Sequence, residues 1–153
     1  MSANQLKISL VQSNSIVGGT SLNAECVLLQ ANKAEKIGSD LIVFPEMFLS
    51  GYQPLDLVKK ESFLKNISFQ VQNIAEKTSN LNIRILIGAP WRLDNKTYNA
   101  FISIYKGSIK TVSKKSHLPN HDVFDEKRFF TPGIGLDLLN LGNIKIGFPI
   151  CED

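Results

Sequence analysis

Residues Leu41 to Tyr52 read LIVFPEMFLSGY, and the fold turns on this stretch. LIVF is an apolar run without polar alternation, the pattern of a strand covered on both faces in a parallel sheet. Pro45 ends it, and Glu46 follows at once. Upstream, Gly38-Ser39-Asp40 closes a segment, Ser21 to Ile37, in which Ala24, Val27, Leu28, Ala31 and Ala34 recur at helical spacing. That spacing predicts an amphipathic helix with Ser or Thr available as its cap. Before it, Lys7 to Val11 (KISLV) reads as a short buried strand followed by a turn-rich stretch from Ser13 to Thr20. Downstream, Glu46 to Lys60 is irregular, punctuated by Gly51 and Pro54. Residues 61–78 place Leu64, Ile67, Val71 and Ile74 on one helical face, and Ile83 to Ile87 reads as a third strand closed by Gly88-Ala89-Pro90. Strand, helix, strand, helix, strand is the order of an α/β fold.

The second half is mostly strand. Thr97 to Tyr105 and Ser108 to Ser113 alternate around Lys106-Gly107, a hairpin signal. Residues 114–135 carry no period. Leu136 to Leu141 and Lys145 to Phe148 predict another hairpin around Gly142-Asn143. The chain then closes on Pro149-Ile150-Cys151-Glu152-Asp153, directly after an expected strand. A domain rarely stops there, so the sequence reads as the first part of something longer.

Composition narrows the class. The 153 residues carry 17 Lys+Arg and 14 Asp+Glu, a net charge of +3. That excess is too small and too scattered to argue for nucleic acid or a membrane surface. Two cysteines exclude a disulfide-stapled mini-protein. No apolar run approaches the roughly 18 residues of a spanning helix, and no secretory leader is evident. The expectation is a cytoplasmic α/β domain.

Four residues could carry chemistry, and each has a plainer explanation. Cys151, at a strand exit, could present a nucleophilic sulfur, yet cysteines beside apolar strands commonly pack in a core. Glu46, past the end of LIVF, stands where open α/β sheets place their sites, or is a solvated loop acid. Lys115 in KKSHLP could steady an oxyanion, or belong to a wet surface. Alternation lets only one of Lys114 and Lys115 point inward. Glu126 in VFDEKRFF could orient the lysine, or pair with Lys127 or Arg128. Other signals fail. His117 and His121 are separated by Pro119, which removes the shared helical face a metal pair needs. Gly133-Ile134-Gly135 lacks a third glycine and a following helix. No Walker-type loop is present, Cys26 reads as inert core, and the triplets at Asn66 and Asn95 carry no meaning inside a cell.

Taken together, LIVFPEMFLSGY, KKSHLPN and GFPICED occur in the order and placement of the nitrilase superfamily of carbon–nitrogen hydrolases, and the chain resembles that family from Lys7 to its last residue. SGYQPLDLV and LPNHDVFDEKRFFTPG are similar to segments of its glutamine-dependent NAD+ synthetase branch, specifically the N-terminal part of the glutaminase domain. Two departures stand out. Gln53 precedes Pro54, with Leu55 replacing the usual acid, and His121 stands where tyrosine is common.

The resemblance implies a four-layer α-β-β-α sandwich, incomplete in this chain. It implies a triad of Glu46 as general base, Lys115 as oxyanion-stabilising cation and Cys151 as nucleophile. Glu126 then matches the supporting acid, and Tyr52, His121 and Phe124 match positions lining the glutamine pocket. It further implies glutamine as substrate and no metal in this chain. ATP, Mg and deamido-NAD+ would be handled by a separate synthetase domain, in an enzyme that is a homo-oligomer at full length. The isolated chain is expected to lack glutaminase activity. Two other readings stay open on the sequence: a stand-alone amidase or carbamoylase using the same triad, and a non-catalytic interaction module or inactive fragment.

Overall fold

The structure, a computed structural model, describes residues 5–135 and 138–153. Its strands are β1 (Ile8–Leu10), β2 (Leu41–Val43), β3 (Arg84–Leu93), β4 (Lys96–Tyr105), β5 (Ser108–Lys114), β6 (Leu139–Leu141) and β7 (Ile144–Ile146). Its helices are α1 (Thr20–Lys36) and α2 (Glu61–Lys77), with short 3-10 turns at Leu55–Lys59 and Glu126–Arg128. Strands β1 to β5 form one sheet in sequence order, and β6 pairs with β7. The first two pairings are parallel and the next two antiparallel.

Alternation along the strands sorts the core into two layers. Ile42, Phe44, Ile85, Ile87, Ile102 and Ile104 face α1 and α2, where Val27, Ala31, Ile67, Val71 and Ile74 meet them. Leu41, Leu86, Phe101 and Val112 face the other way, against Leu139 and Ile150. The order is therefore helices, five-stranded sheet, β6–β7 hairpin. Ile67, Val71 and Ile74 are wholly buried, each worth about 1.5–3 kcal/mol relative to exposure.

Both helices lie within a residue or two of their expected bounds. The cap of α1 differs: Gly19 precedes it and no side chain caps it. Thr20 instead bonds Asn66, and Asn23 ties α1 to the Ile16 backbone and the Leu49 carbonyl. Strand β3 also differs, because it runs through Gly88-Ala89-Pro90 rather than stopping there. Nine residues pair with β4, from Ile85↔Ile104 to Leu93↔Lys96. Beyond Leu86, β2 no longer pairs with β3, so Pro90 sits where one side of β3 is an edge and a missing N–H is tolerated. The strand expected from Leu136 begins outside the described residues; its described part is β6.

Candidate active site

Glu46 follows β2, Lys115 follows β5 and Asn99 lies near the start of antiparallel β4, so all three reach the same end of the sheet. Glycine lets the Glu46 segment approach. A Cβ on Gly88 would lie 2.4 Å from the Pro45 carbonyl oxygen and 2.8 Å from the Glu46 Cα. Any side chain there would push Glu46 away from β3. The Leu49 N–H donates to the Gly88 carbonyl and fixes the turn that carries the acid.

A β-bulge aims Lys115. Phe101 pairs with Ser113, but Ile102 pairs with Thr111, which leaves Val112 as the extra residue. A one-residue slip moves every following side chain to the other face. Ile109 packs with the helical cluster, and without the bulge Lys115 would share its face. With it, Lys115 shares the face of Asn99 and Phe101. The Lys115 N–H donates to the Asn99 carbonyl at 2.8 Å and extends the ladder one step. Lys114 is half-buried on the other face, with its ammonium over the Tyr98 ring.

The Lys115 side chain is fully buried. Its ammonium donates to Glu46 Oε1 at 3.0 Å and to Glu126 Oε1 at 2.8 Å. Burial alone pulls a lysine down; hydrogen bonds from the ammonium to Glu126 and Glu46, and their charges, overcome it and leave Lys115 pushed up to about 12. Burial raises Glu126 above the usual carboxylate range, against the opposing pull of Lys115. Its Oε2 is buried without a partner. Glu126 is placed by its own N–H on the Pro119 carbonyl and by the Phe130 N–H donating to its carbonyl. It pairs with the distant lysine, not with Lys127 or Arg128.

A cavity opens beside this cluster, lined by Met47, Tyr52, Gln53, Pro54, Leu55, Asn99, Asp125, Glu126, Phe129 and Phe130. Tyr52 therefore stands at the cluster. His121 and Phe124 lie outside that lining. They stack edge to face at 5.9 Å, with His121 Nε2 3.6 Å from Glu152.

Cys151 is exposed, not core. It sits in the terminal turn with a left-handed φ of 54°, a conformation uncommon outside glycine. Asp153 pins that turn: its Oδ1 accepts the Ser116 and Lys115-proximal His117 N–H groups at 2.8 Å, and its Oδ2 accepts the Ile150 N–H. The cysteine is thus tied next to the end of the Lys115 strand. Among the described residues no hydrogen bond joins its sulfur to Glu46 or Lys115. The sequence reading passed over Asn99 and Asp153. Asn99 carried one signal, a polar residue inside the apolar strand TYNAFISIY, and its side chain is buried against Glu46.

Residues 7–153 match the carbon-nitrogen hydrolase family. The chain belongs to that family. Over 149 residues the chain is 42% identical to a glutamine-dependent NAD(+) synthetase of Thermotoga maritima, covering 97% of the chain and 26% of that protein. It thus spans about a quarter of the length of the curated relatives it matches. Among solved structures it superposes on a glutamine-dependent NAD+ synthetase from Acinetobacter baumannii with a TM-score of 0.86 at 31% identity, over 97% of this chain and 28% of the other. An amidase from Nesterenkonia sp. shares the fold at a TM-score of 0.79 and 18% identity, over 99% of this chain and 57% of that one. The fold is the nitrilase-like sandwich, of which this chain supplies one helical layer, a five-stranded sheet and the β6–β7 hairpin. Among the described residues no helix is long and apolar enough to cross a membrane, and no group of three or more His, Cys, Asp and Glu is placed to hold a metal.

A buried ammonium with two carboxylates at a sheet end has clear chemical capacity. It can steady negative charge developing on a substrate oxygen, and a carboxylate beside it is placed to exchange a proton.

Proposed function

We propose that residues 1–153 form the N-terminal portion of a glutaminase domain, with the rest of that domain and an ATP-dependent synthetase domain lying outside this sequence. The whole enzyme is a cytoplasmic glutamine-dependent NAD+ synthetase. The observation that carries this reading is the buried Lys115 ammonium held between Glu46 and Glu126, in a chain 42% identical to a protein of that name.

In this reading Glu46 accepts the Cys151 thiol proton as the sulfur attacks the side-chain amide carbon of glutamine. The carbonyl oxygen becomes an oxyanion, which Lys115 and backbone N–H groups stabilise, each donor worth about 3 kcal/mol. Glu46 returns the proton to the nitrogen, the C–N bond breaks and ammonia leaves. A water then gives a proton to Glu46 and attacks the thioester, and collapse releases glutamate and the thiol. Glu126 supports the lysine, Tyr52 lines the glutamine pocket beside it, and His121 and Phe124 flank the Cys151 turn through Glu152. The ammonia amidates deamido-NAD+ at the synthetase domain, where ATP and Mg act.

The test uses the full-length protein that carries these residues. Glutamate and ammonia are measured from L-glutamine and from short aliphatic amides, with and without ATP and deamido-NAD+. The expected result is preference for glutamine and transfer of isotopically labelled amide nitrogen into NAD+. Turnover of simple amides with none of glutamine overturns the reading in favour of an amidase.

A further inference from the structure

We propose that Asn99 is a positioning residue of this site, which holds one oxygen of Glu46 and so fixes the other as the atom that takes the proton. This rests on Glu46 being the general base.

The Glu46 carboxylate is asymmetric in its surroundings. Oε1 accepts two hydrogen bonds, from Asn99 Nδ2 at 2.5 Å and from the Lys115 ammonium at 3.0 Å. Among the described residues no donor reaches Oε2, and the side chain keeps 21% of its exposure. A carboxylate with one oxygen saturated and the other open accepts a proton at the open oxygen. Two donors from different strand positions also fix the plane of the group, so the open oxygen has a defined direction.

Asn99 is built for this task rather than for stability. It is 1% exposed. Its backbone carbonyl accepts the Lys115 N–H while its side chain reaches Glu46. One residue thus sets the spacing between the acid and the cation. Its own Oδ1 is a buried acceptor without a partner. An unpaired buried acceptor costs free energy, and hydrogen bonding of the amide to Glu46 and toward Glu126 offsets it. Because a carboxylate has no hydrogen to give, only the amide nitrogen can face Glu46, which settles the orientation of the amide.

The experiment compares Asn99→Ala, Asn99→Asp and Glu46→Gln with wild type in the full-length protein, following glutamate release from glutamine. For Asn99→Ala, kcat is expected to fall roughly 10- to 100-fold, the size of one charge-assisted hydrogen bond. KM stays within about twofold and the melting temperature holds. Asn99→Asp keeps the shape but sets an oxygen against Glu46, so its loss at neutral pH is larger; it carries the test if the alanine variant fails to fold. A folded variant with wild-type kcat overturns the inference, as does a rise in KM alone. Glu46→Gln separates the two readings. If it is inactive while Asn99→Ala is unaffected, only the role of Asn99 falls. If Glu46→Gln stays active, the assignment of the base itself falls.

Discussion

Lys115→Met is expected to cost about 3–5 kcal/mol of stability, the range for removing one partner from a buried ion pair, and to abolish glutamine hydrolysis. The size follows from what stays behind. The side chain is wholly buried and touches two carboxylates within 3.0 Å. Methionine fills the volume but leaves Glu46 Oε1 and Glu126 Oε1 facing each other with no cation between them. Glu126 is already raised by burial, and loss of the cation that lowers it raises it further. Urea denaturation followed by Trp91 fluorescence measures the loss. The alkaline limb offers a second check. Lys115 is pushed up to about 12 from its ordinary 10.5. A raised ammonium stabilises the fold fully below the unfolded value and loses that contribution as pH climbs through the folded one. Wild-type stability therefore falls between pH 10.5 and about 12, and the methionine variant lacks that particular fall. Unchanged stability in Lys115→Met contradicts the buried cluster.

Cys151→Ala is expected to do the reverse: it removes catalysis and leaves the fold intact. Cys151 is exposed and its sulfur carries no core packing. The turn is held by Asp153 and by backbone bonds, none of which uses the sulfur. Alanine keeps the Cβ, so the left-handed φ of 54° costs the same in both. The expected stability change is within about 0.5 kcal/mol, while kcat falls by about 10⁴-fold or more, as for loss of a covalent nucleophile. Retained turnover in the alanine variant contradicts the thioester route.

Local pattern carried much of this architecture. LIVF announced β2 through its lack of alternation, and the spacing of Leu64, Ile67, Val71 and Ile74 announced α2. These signals are local because one face of each element must be apolar. Pro90 misled the reading of β3, since its tolerance depends on where β2 stops pairing, a fact of the sheet rather than of the segment. The same holds for the bulge at Val112. Alternation showed that one of Lys114 and Lys115 turns inward, but the choice depends on the register against β4. Glu126 had charged neighbours in sequence, yet its partner is Lys115. Asn99 meets Glu46 across 53 positions, and no spacing within a window reports such a contact. Asp153 was visible only as an acid after the cysteine; its grip on Ser116 and His117 spans 37 and 36 positions.

The central claim is that glutamine is opened by the Cys151 sulfur. Its most direct test is rapid acid quench of the full-length protein during turnover of glutamine, followed by peptide mass spectrometry. The account predicts a γ-glutamyl group on the peptide containing Cys151, lost on standing at neutral pH and absent from Cys151→Ala. A γ-glutamyl group on any other residue, or steady hydrolysis with Cys151 never acylated, contradicts it.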